Sequence, residues 1–284
     1  MEQRRRFIFR GNAAAFGGRI IRPKDIVLEA PGASSLAVTG GRSVARIPRT
    51  AFENFFSVES ASTFAEGLFD DANQFREVTY HRVQEDALTA STNASAEVSG
   101  LVVGQRPQLT IRHVRGELHA KSPLGSGEPA IRVGKGTIIE GAAVGGHRLT
   151  IELGLAPFQR FDTQAKLLTA VDDPAFVKES GDAFFMRTPL HGEAPPPVGR
   201  LFESSGGTIY ATIVKSIRWE GDPFPGAEID HNVVAIPDLG RLFFGEILIS
   251  KDVRRLTMLR MALGSPMGGN ASVVDVEDNG CWGY

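Results

Sequence analysis

The sequence predicts an all-β, mainly antiparallel protein, a sandwich or barrel with one or two short helices. Three observations support this fold class. Gly and Pro contribute 32 and 16 of the 284 residues, as expected where tight turns join many short strands. Short apolar runs separated by turn residues recur along the whole chain. The segment 109–121 alternates from His113 onward between ionisable and apolar side chains, which is the pattern of a strand with one polar face.

Apolar runs of strand length between turn residues are the predicted strands. In chain order they lie within 6–28 and 34–47, then at 77–83, 88–103, 109–121, 130–133, 137–144, 147–155, 183–188, 208–218, 232–236, 242–250 and 255–263. Gly40 and Gly41 are predicted to form a turn within the second segment. The last two runs are apolar at nearly every position, so a hairpin buried on both faces is predicted around Lys251 and Asp252.

Two segments are predicted as short helices. Thr50 can cap a helix that carries Phe52, Phe55 and Phe56 at i, i+3 and i+4 spacing. An Asp-Pro pair predicts a second helix over 174–180.

The end of the chain imitates a calcium-binding loop. Residues 275–280 place oxygen donors at loop positions 1, 3 and 5 and glycine at position 6. The chain ends before the carboxylate that an EF-hand needs at position 12. These residues are therefore interpreted as a terminal turn.

Length and proline content suggest the domain organisation. A chain of 284 residues is near the upper limit for one hydrophobic core. Three consecutive prolines at 195–197 break any sheet. We expect a larger β unit at 1–190 and a smaller one at 199–284, which can pack together as one globule.

Charge and cysteine content narrow the partners. The net charge is −2 and the pI about 6.3, so nucleic acid is not an expected partner. The first 24 residues are basic, but charge runs are usually solvated surface. No run of about 18 apolar residues predicts a membrane helix. Cys281 is the single cysteine, so neither an internal disulfide nor a cysteine-based zinc site is expected, a cytoplasmic location is predicted, and no cofactor is predicted.

The polar face of 109–121 is the first candidate site. His113, Glu117 and His119 are suitable metal ligands. On one strand, residues i and i+4 lie about 13 Å apart, so this strand alone cannot bring all three onto one ion. Glu117 and His119, about 6.6 Å apart along the backbone, could share a metal with residues from elsewhere. The alternative is a solvated face with cross-strand ion pairs.

The second candidate is the turn-rich segment 218–232, because function tends to lie on loops held by a rigid scaffold. Its candidate ligand-binding residues are Trp219, Glu220, Asp222, Glu228, Asp230 and His231. The indole could stack on a sugar, and two carboxylates could serve as acid and base if they lie about 5 to 10 Å apart. The alternative is an acidic, solvated loop with the indole packed beneath it.

Two functional hypotheses follow. The first is a non-catalytic all-β scaffold or interaction protein that acts through a protein partner or as a homo-oligomer. It is favoured because the sequence lacks Gly-x-Ser-x-Gly, P-loop and Gly-x-Gly-x-x-Gly motifs. The small residues of 88–103 suit a strand that packs closely against a neighbour or one that lies at an exposed edge, where it could pair with another chain. The rival is a hydrolase-like enzyme or a small-ligand, carbohydrate-type binder that uses the segment from Trp219 to His231.

Overall fold

The structure, a computed structural model, describes residues 7–29, 32–69, 89–123, 127–170, 202–203, 209–264 and 267–282. Within these residues the fold is all-β and antiparallel with two short helices, as the sequence predicts. None of the helices in these ranges is long and apolar enough to cross a membrane.

Twenty-three strands and two helices make up the described part of the chain. In chain order the strands are β1 (Phe7–Ile8), β2 (Gly11–Arg22), β3 (Ile26–Leu28), β4 (Ser34–Ser35), β5 (Gly41–Ile47), β6 (Thr50–Phe52), β7 (Phe56–Val58), β8 (Ser60–Phe69), β9 (Thr89–Val103), β10 (Leu109–Pro123), β11 (Ala130–Val133), β12 (Ile138–Glu140), β13 (Ala142–Val144), β14 (His147–Leu153), β15 (Phe202–Glu203), β16 (Ile209–Thr212), β17 (Val214–Trp219), β18 (Glu228–Asp230), β19 (Val233–Ile236), β20 (Gly240–Ile249), β21 (Arg254–Leu263), β22 (Gly268–Asp278) and β23 (Cys281–Trp282). The helices are α1 (Ala156–Arg160) and α2 (Gln164–Ala170).

Sheet I, the eleven-stranded sheet, is built around β10. One edge of β10 pairs with β9 over almost its whole length, from Leu109 opposite Val103 to Pro123 opposite Thr89. The other edge pairs in succession with three short strands, β13, β12 and β11. The gaps between these short strands leave room for turns that fold over the polar face of β10.

Sheet II, the ten-stranded sheet, packs on the inner face of sheet I to form a sandwich. Its strand β22 lies between β2 and β21 and contacts β9 and β10 of the opposite sheet. Inward-facing side chains such as Val98, Leu118 and Val276 are fully buried in one continuous apolar core. A close approach occurs at Gly116, where an added Cβ would lie 2.9 Å from Val274 Cγ1.

Strands from both predicted units share each sheet. The N-terminal strand β2 pairs with β22 in sheet II, and β17 pairs with β14 in sheet I. The predicted boundary at 195–197 lies outside the described residues. Among the described residues, the apolar side chains that precede and follow that boundary contribute to the same core.

Most strand predictions agree with the structure. Segments 88–103 and 109–121 correspond to β9 and β10, and the predicted C-terminal hairpin corresponds to β20 and β21 joined at Ser250–Val253. The predicted strands at 77–83 and 183–188 and the predicted helix at 174–180 lie outside the described residues. The two helices observed, α1 and α2, follow the predicted strand 147–155 and were not located from the sequence.

The predicted helix after Thr50 is wrong, because this segment is the hairpin of β6 and β7. Phe52 and Phe56 stand opposite each other across a three-residue turn. Their i, i+4 spacing therefore fits a hairpin as well as a helix. Both rings pack with Phe16 in the core, at centroid distances of 6.1 Å and 5.3 Å, so tertiary contacts decide between the two structures.

The interpretation of 275–280 as a terminal turn is also wrong over most of its length. Residues up to Asp278 continue β22, which pairs with strands on both sides. The Asp275 carboxylate accepts hydrogen bonds from Arg255 and Thr257 on the neighbouring strand. Residues that resemble the start of a calcium loop in the sequence therefore belong to a paired strand, and the Asp275 carboxylate binds side chains of the neighbouring strand.

Candidate functional site

A cavity of about 490 Å³ opens against the polar face of β10. It lies where β11 leaves β10 and the chain turns at Gly134–Gly136 before β12. Its lining residues come from β10, β11, this turn and α1. They are Glu117, His119, Lys121, Ala130, Arg132, Val133, Gly134, Lys135, Gly136 and Gln159.

Glu117 forms the floor of this cavity and is 8% exposed. Its Oε1 forms an ion pair with the Arg115 guanidinium. Its Oε2 accepts a hydrogen bond of 3.1 Å from the Gly136 N–H and lies 3.7 Å from His119 Nε2. The contact with His119, the Arg115 charge and the Gly136 N–H together outweigh burial and lower the pKa of Glu117 to about 2. The floor therefore carries a paired negative charge at neutral pH.

His119 is held from both sides of its ring. The register of β9 and β10 places Asn93 directly opposite it, and His119 Nδ1 lies 2.7 Å from Asn93 Oδ1. On the other side of the ring, Nε2 lies 3.7 Å from Glu117 Oε2. Two strands thus fix the orientation of an imidazole at the cavity wall.

The turn over Glu117 requires glycine because the backbone comes very close to the carboxylate. The Gly134 N–H donates a hydrogen bond of 2.9 Å to the Glu117 backbone oxygen. A Cβ on Gly134 would lie 2.4 Å from Glu117 Oε2 and 2.6 Å from His119 Nε2. A Cβ on Gly136 would lie 2.7 Å from Glu117 Oε1. Neither position has room for a side chain, so glycine at both allows the turn to lie this close to Glu117.

Arg132 lies on β11 directly opposite His119 and is oriented by Asp162, which precedes α2. The Arg132 Nη2 and Nε atoms donate to Asp162 Oδ2 at 2.7 Å and 3.1 Å. Asp162 Oδ1 accepts a bond of 2.7 Å from Lys166. Burial acts to raise the pKa of Asp162, but the hydrogen bonds from Lys166 and Arg132 lower it overall. A charged carboxylate therefore holds the guanidinium in place.

The structure brings together two of the three predicted metal ligands. Glu117 and His119 are adjacent, whereas His113 lies beyond Arg115 with its Nε2 3.0 Å from Glu97 Oε1. In the part of the chain that the structure describes, no group of three or more His, Cys, Asp and Glu side chains is placed to hold a metal ion. The polar face of β10 combines cross-strand ion pairs with the cavity.

In the second predicted site, the segment 218–232, the aromatic residue is packed into the fold. Trp219 is half-buried at the end of β17 and packs against the core. The His147 ring meets it edge to face at 6.5 Å and meets Phe224 at 5.6 Å. His147 Nδ1 also lies 3.0 Å from the Asp222 backbone oxygen. The indole therefore belongs to an aromatic cluster beneath the segment.

The acidic residues of this segment lie on its solvent side. Glu220 accepts a hydrogen bond from Thr150 on β14. Glu228 and Asp230 are exposed on β18, and Asp230 Oδ1 lies 2.7 Å from Nδ1 of His231, which begins the next turn. None of the six predicted ligand-binding residues is among those that line the cavity.

Sequence reasoning missed most of the cavity. It identified Glu117 and His119 but gave no role to Gly134 and Gly136, which lie between the predicted strands 130–133 and 137–144. It assigned no role to Arg132. The available signal was a pair of glycines flanking Lys135 immediately after a short strand, which indicates close backbone approach.

The comparisons with known proteins identify a family. A family model with the description Domain of unknown function (DUF8256) matches residues 7–250. The chain belongs to this family. The DUF8256 match includes every residue that lines the cavity and ends after β20. Searches of curated proteins and of solved structures gave no match.

Proposed function

We propose that this protein is a non-catalytic β-sandwich scaffold that works by binding, with the cavity on β10 as its small-ligand site. The observation that carries this proposal is that the charged floor is already paired, because Glu117 engages Arg115 and the Gly136 N–H. A carboxylate with a pKa of about 2 is a poor general base near neutral pH. No lining residue in the described chain carries a hydroxyl or thiol nucleophile. These features favour binding over catalysis.

The dimensions of the cavity support a small ligand. Its volume of about 490 Å³ falls within the range of roughly 300 to 1,000 Å³ typical of ligand pockets. The half-buried Ala130 supplies apolar surface, and the charged side chains come from β10, β11 and the turn before β12. An apolar wall with a few placed polar groups is the usual composition of a ligand site.

An NMR titration tests this proposal. The ¹⁵N-labelled protein is titrated with benzyl alcohol, benzoate and benzylammonium, three ring compounds of similar size and different charge. We expect at least one probe to shift the amide signals of Gly134 and Gly136, and the Ala130→Phe variant, which fills the cavity, to lose those shifts. Ala51→Phe, on an exposed position of β6, is the matched control.

The titration has a clear contrary result. If none of the three probes moves the two glycine amides, the cavity is not a small-ligand site and the proposal fails. The indole N–H of Trp219 is followed in the same spectra. A shift there instead supports the rival carbohydrate-type site at Trp219 to His231.

Self-association is a second candidate function, favoured by one edge of sheet II. Strand β3 pairs only with β2 within the described residues. This edge hairpin exposes Ile21 and Val27, which are 54% and 59% accessible. An exposed ion pair links Arg19 on β2 to Asp25, just before β3. An apolar sheet edge of this kind can pair with a second copy of the chain.

Light scattering after size-exclusion chromatography tests self-association. A dimer or larger assembly should dissociate in Val27→Lys, because a charge on an edge strand opposes pairing. Val38→Lys is the matched control, since Val38 is 64% exposed but lies in a turn. A monomer at every concentration, or equal dissociation by both variants, would remove this candidate.

The proposal extends to partner and compartment. A protein partner or a second copy is favoured over nucleic acid, because a net charge of −2 creates no attractive field for a polyanion. A cytoplasmic location is supported by the single cysteine, since Cys281 is free and a chain without disulfides gains nothing from an oxidising compartment.

A further inference from the structure

We propose that Arg254 couples the cavity on β10 to the protonation of Asp278, a carboxyl group buried between the two sheets. When Asp278 ionises, the Arg254 guanidinium leaves the backbone at the end of α1 and pairs with the carboxylate. This exchange frees the helix that places Gln159 in the cavity wall. The inference concerns the regulation of the cavity and rests on its proposed function as a small-ligand site.

Arg254 ties α1 to the core of the sandwich. It begins β21 and is 1% exposed. Its Nη2 donates a hydrogen bond of 2.9 Å to the oxygen of Phe161, which follows α1, and its Nη1 donates a longer one of 3.5 Å to the Phe158 oxygen. Burial lowers the pKa of Arg254 to about 10, although the charges of Asp162 and Glu128 act against this. At neutral pH the side chain is therefore a buried cation that donates to neutral carbonyl groups.

Asp278 stands directly opposite Arg254 on the neighbouring strand. The register of β21 and β22 pairs the two residues at the end of the ladder, and the pair Leu256 and Val276 lies two residues along it. All four side chains are buried. Opposite residues of an antiparallel pair share one face of the sheet, with Cβ atoms about 5 Å apart. The carboxyl group therefore lies within reach of the long arginine side chain.

One oxygen of Asp278 is open to this contact. Its Oδ1 accepts a hydrogen bond of 2.5 Å from the Thr92 hydroxyl, and the Gly280 N–H also donates to the carboxyl group. Its Oδ2 is buried and has no hydrogen-bond partner among the described residues. A buried carboxylate without a counter-ion is costly, and a planar guanidinium matches its oxygens. Once the proton has left, pairing compensates two buried charges at once.

The other ionisable groups near Asp278 are few in the described part of the chain. His119 on β10 favours the ionised form, and Glu277 on its own strand opposes it. The facing strand β9 contributes a hydroxyl group, β2 presents Gly11 opposite Asp278, and the ionisable residue of β23 is Cys281. Burial is the largest influence and raises the pKa of Asp278 to about 7. Histidine side chains in general titrate in the same range, so the experiment separates the two groups.

The exchange reaches the cavity through α1. The helix has only five residues, and a helix this short depends on tertiary contacts for its stability. Gln159 on α1 lines the cavity, and Asp162, which orients Arg132, directly follows Phe161. Loss of both arginine hydrogen bonds should therefore shift two contributors to the cavity wall together.

An NMR titration of the whole protein from about pH 5.5 to about pH 8.5 tests the exchange, since this interval brackets the pKa of Asp278. The backbone amide signals of Gln159 and Phe161 and the side-chain Nε–Hε signal of Arg254 should shift with a common midpoint near pH 7. The same titration should persist in His119→Gln and disappear in Asp278→Asn. Asp252→Asn, in the exposed turn after β20, is the matched control.

Arg254→Met gives a second view of the exchange, because it removes the donor and keeps an apolar chain of similar length. The two amide signals of α1 should then stay in one position at every pH. The inference is overturned if these signals do not titrate in the wild type, or if they titrate equally in Asp278→Asn. It is also overturned if the titration disappears in His119→Gln, because His119 is then the responsible group.

Ligand binding tests the consequence for the cavity. Benzyl alcohol, benzoate and benzylammonium each keep their charge between about pH 6 and about pH 8. The affinity of whichever compound binds, followed at the amides of Gly134 and Gly136, should fall at least about fivefold over this interval, the lower end of usual coupling between two sites. In Asp278→Asn this fall should be absent. An equal fall in both proteins overturns the regulation while the cavity remains a ligand site. If no compound moves the two glycine amides at any pH, the proposed function fails, and the titration of α1 still decides whether Arg254 changes partner.

Discussion

Two buried carboxyl groups in this sandwich behave in opposite ways. Glu117 lies on the outer face of sheet I and is 8% exposed, while Asp278 lies at the end of β22 and is 0% exposed. The pKa of Glu117 falls to about 2, and burial raises the pKa of Asp278 to about 7. At neutral pH the first is a fixed charge and the second is close to its titration midpoint.

The difference lies in the partners rather than in burial alone. Glu117 has Arg115 as a counter-ion, a backbone N–H and an imidazole. Asp278 receives hydrogen bonds from the Thr92 hydroxyl and the Gly280 N–H, and its Oδ2 has no hydrogen-bond partner among the described residues. A counter-ion offsets the cost of desolvating a carboxylate, whereas two neutral donors do not. The outer face of sheet I therefore tolerates charge that the interface between the sheets does not.

The largest effect is expected from Asp278→Asn. Because the pKa of Asp278 is higher in the folded state than its usual value of 3.8, the unfolded chain loses its proton first as pH rises. The free energy of unfolding of the wild type should therefore fall between about pH 4 and pH 7 by an amount on the order of 4 kcal/mol. The asparagine variant lacks this titration, so its stability relative to the wild type should rise over the same interval.

Urea unfolding at a series of pH values measures this change. Any constant cost of placing an amide beside Thr92 cancels, because only the slope with pH is compared. Asp252→Asn, in the exposed turn after β20, should run parallel to the wild type. If the Asp278→Asn curve is parallel as well, Asp278 is not a buried titrating group and the contrast with Glu117 disappears.

The second prediction concerns Glu117, whose contribution to the free energy of unfolding should depend on pH in the opposite direction to that of Asp278. The folded pKa of Glu117 lies below its usual value of 4.5, so its stabilisation is present above that value and is lost as pH falls towards 2. Glu117→Gln should lower the free energy of unfolding at pH 7 by about 2 to 3 kcal/mol, since Arg115 loses its closest counter-ion. The difference in the free energy of unfolding between Glu117→Gln and the wild type should decrease steadily below about pH 4.5.

The control for this pair is Glu152→Gln on β14, an exposed carboxylate whose partners are Lys215 and Ser216. We expect a much smaller change there, because solvent screens exposed ion pairs. If urea unfolding shows the same loss in the free energy of unfolding for both variants, the contacts of Glu117 stabilise the protein no more than an ordinary surface ion pair does.

The sequence predicted the strand that carries Glu117 but not what covers it. Two-residue alternation is a local property, so β10 and its polar face could be derived from residues 109–121 alone. The cover depends on pairing with strands that follow later in the chain and on the Arg132 contact with Asp162, thirty residues away. Such contacts leave no periodic signal. The sequence therefore left open whether this face meets water or a cavity.

The C-terminal segment and the pair Phe52 and Phe56 show two further limits of predicting structure from the sequence. The residues from Asp275 onward resembled a calcium loop, because oxygen donors in a sequence carry no sign of whether a neighbouring strand binds them. Phe52 and Phe56 resembled a helical face, because i, i+4 spacing also fits a three-residue hairpin turn. In both cases local chemistry allowed two structures and tertiary contacts selected one. Pairing within sheet II decided the first, and packing against Phe16 decided the second.

The smallest effect is expected from Gly134→Ala, which disturbs the Glu117 side of the comparison without removing any charge. The added methyl would lie 2.5 Å from Glu117 Cβ as well as close to its carboxylate and to His119. The carboxylate end and the imidazole can move, but the Cβ contact forces the turn outward. We expect the free energy of unfolding to fall by about 1 to 2 kcal/mol, which is typical of overpacking at a site that partly relaxes.

Gly127→Ala is a close control, since an added Cβ there meets nothing within 4 Å. The histidine ring signals should shift in Gly134→Ala and stay in place in Gly127→Ala, because only the first substitution reaches His119. If both variants unfold at the wild-type urea midpoint with unchanged ring signals, the turn at Gly134 does not lie as close to Glu117 as the structure places it.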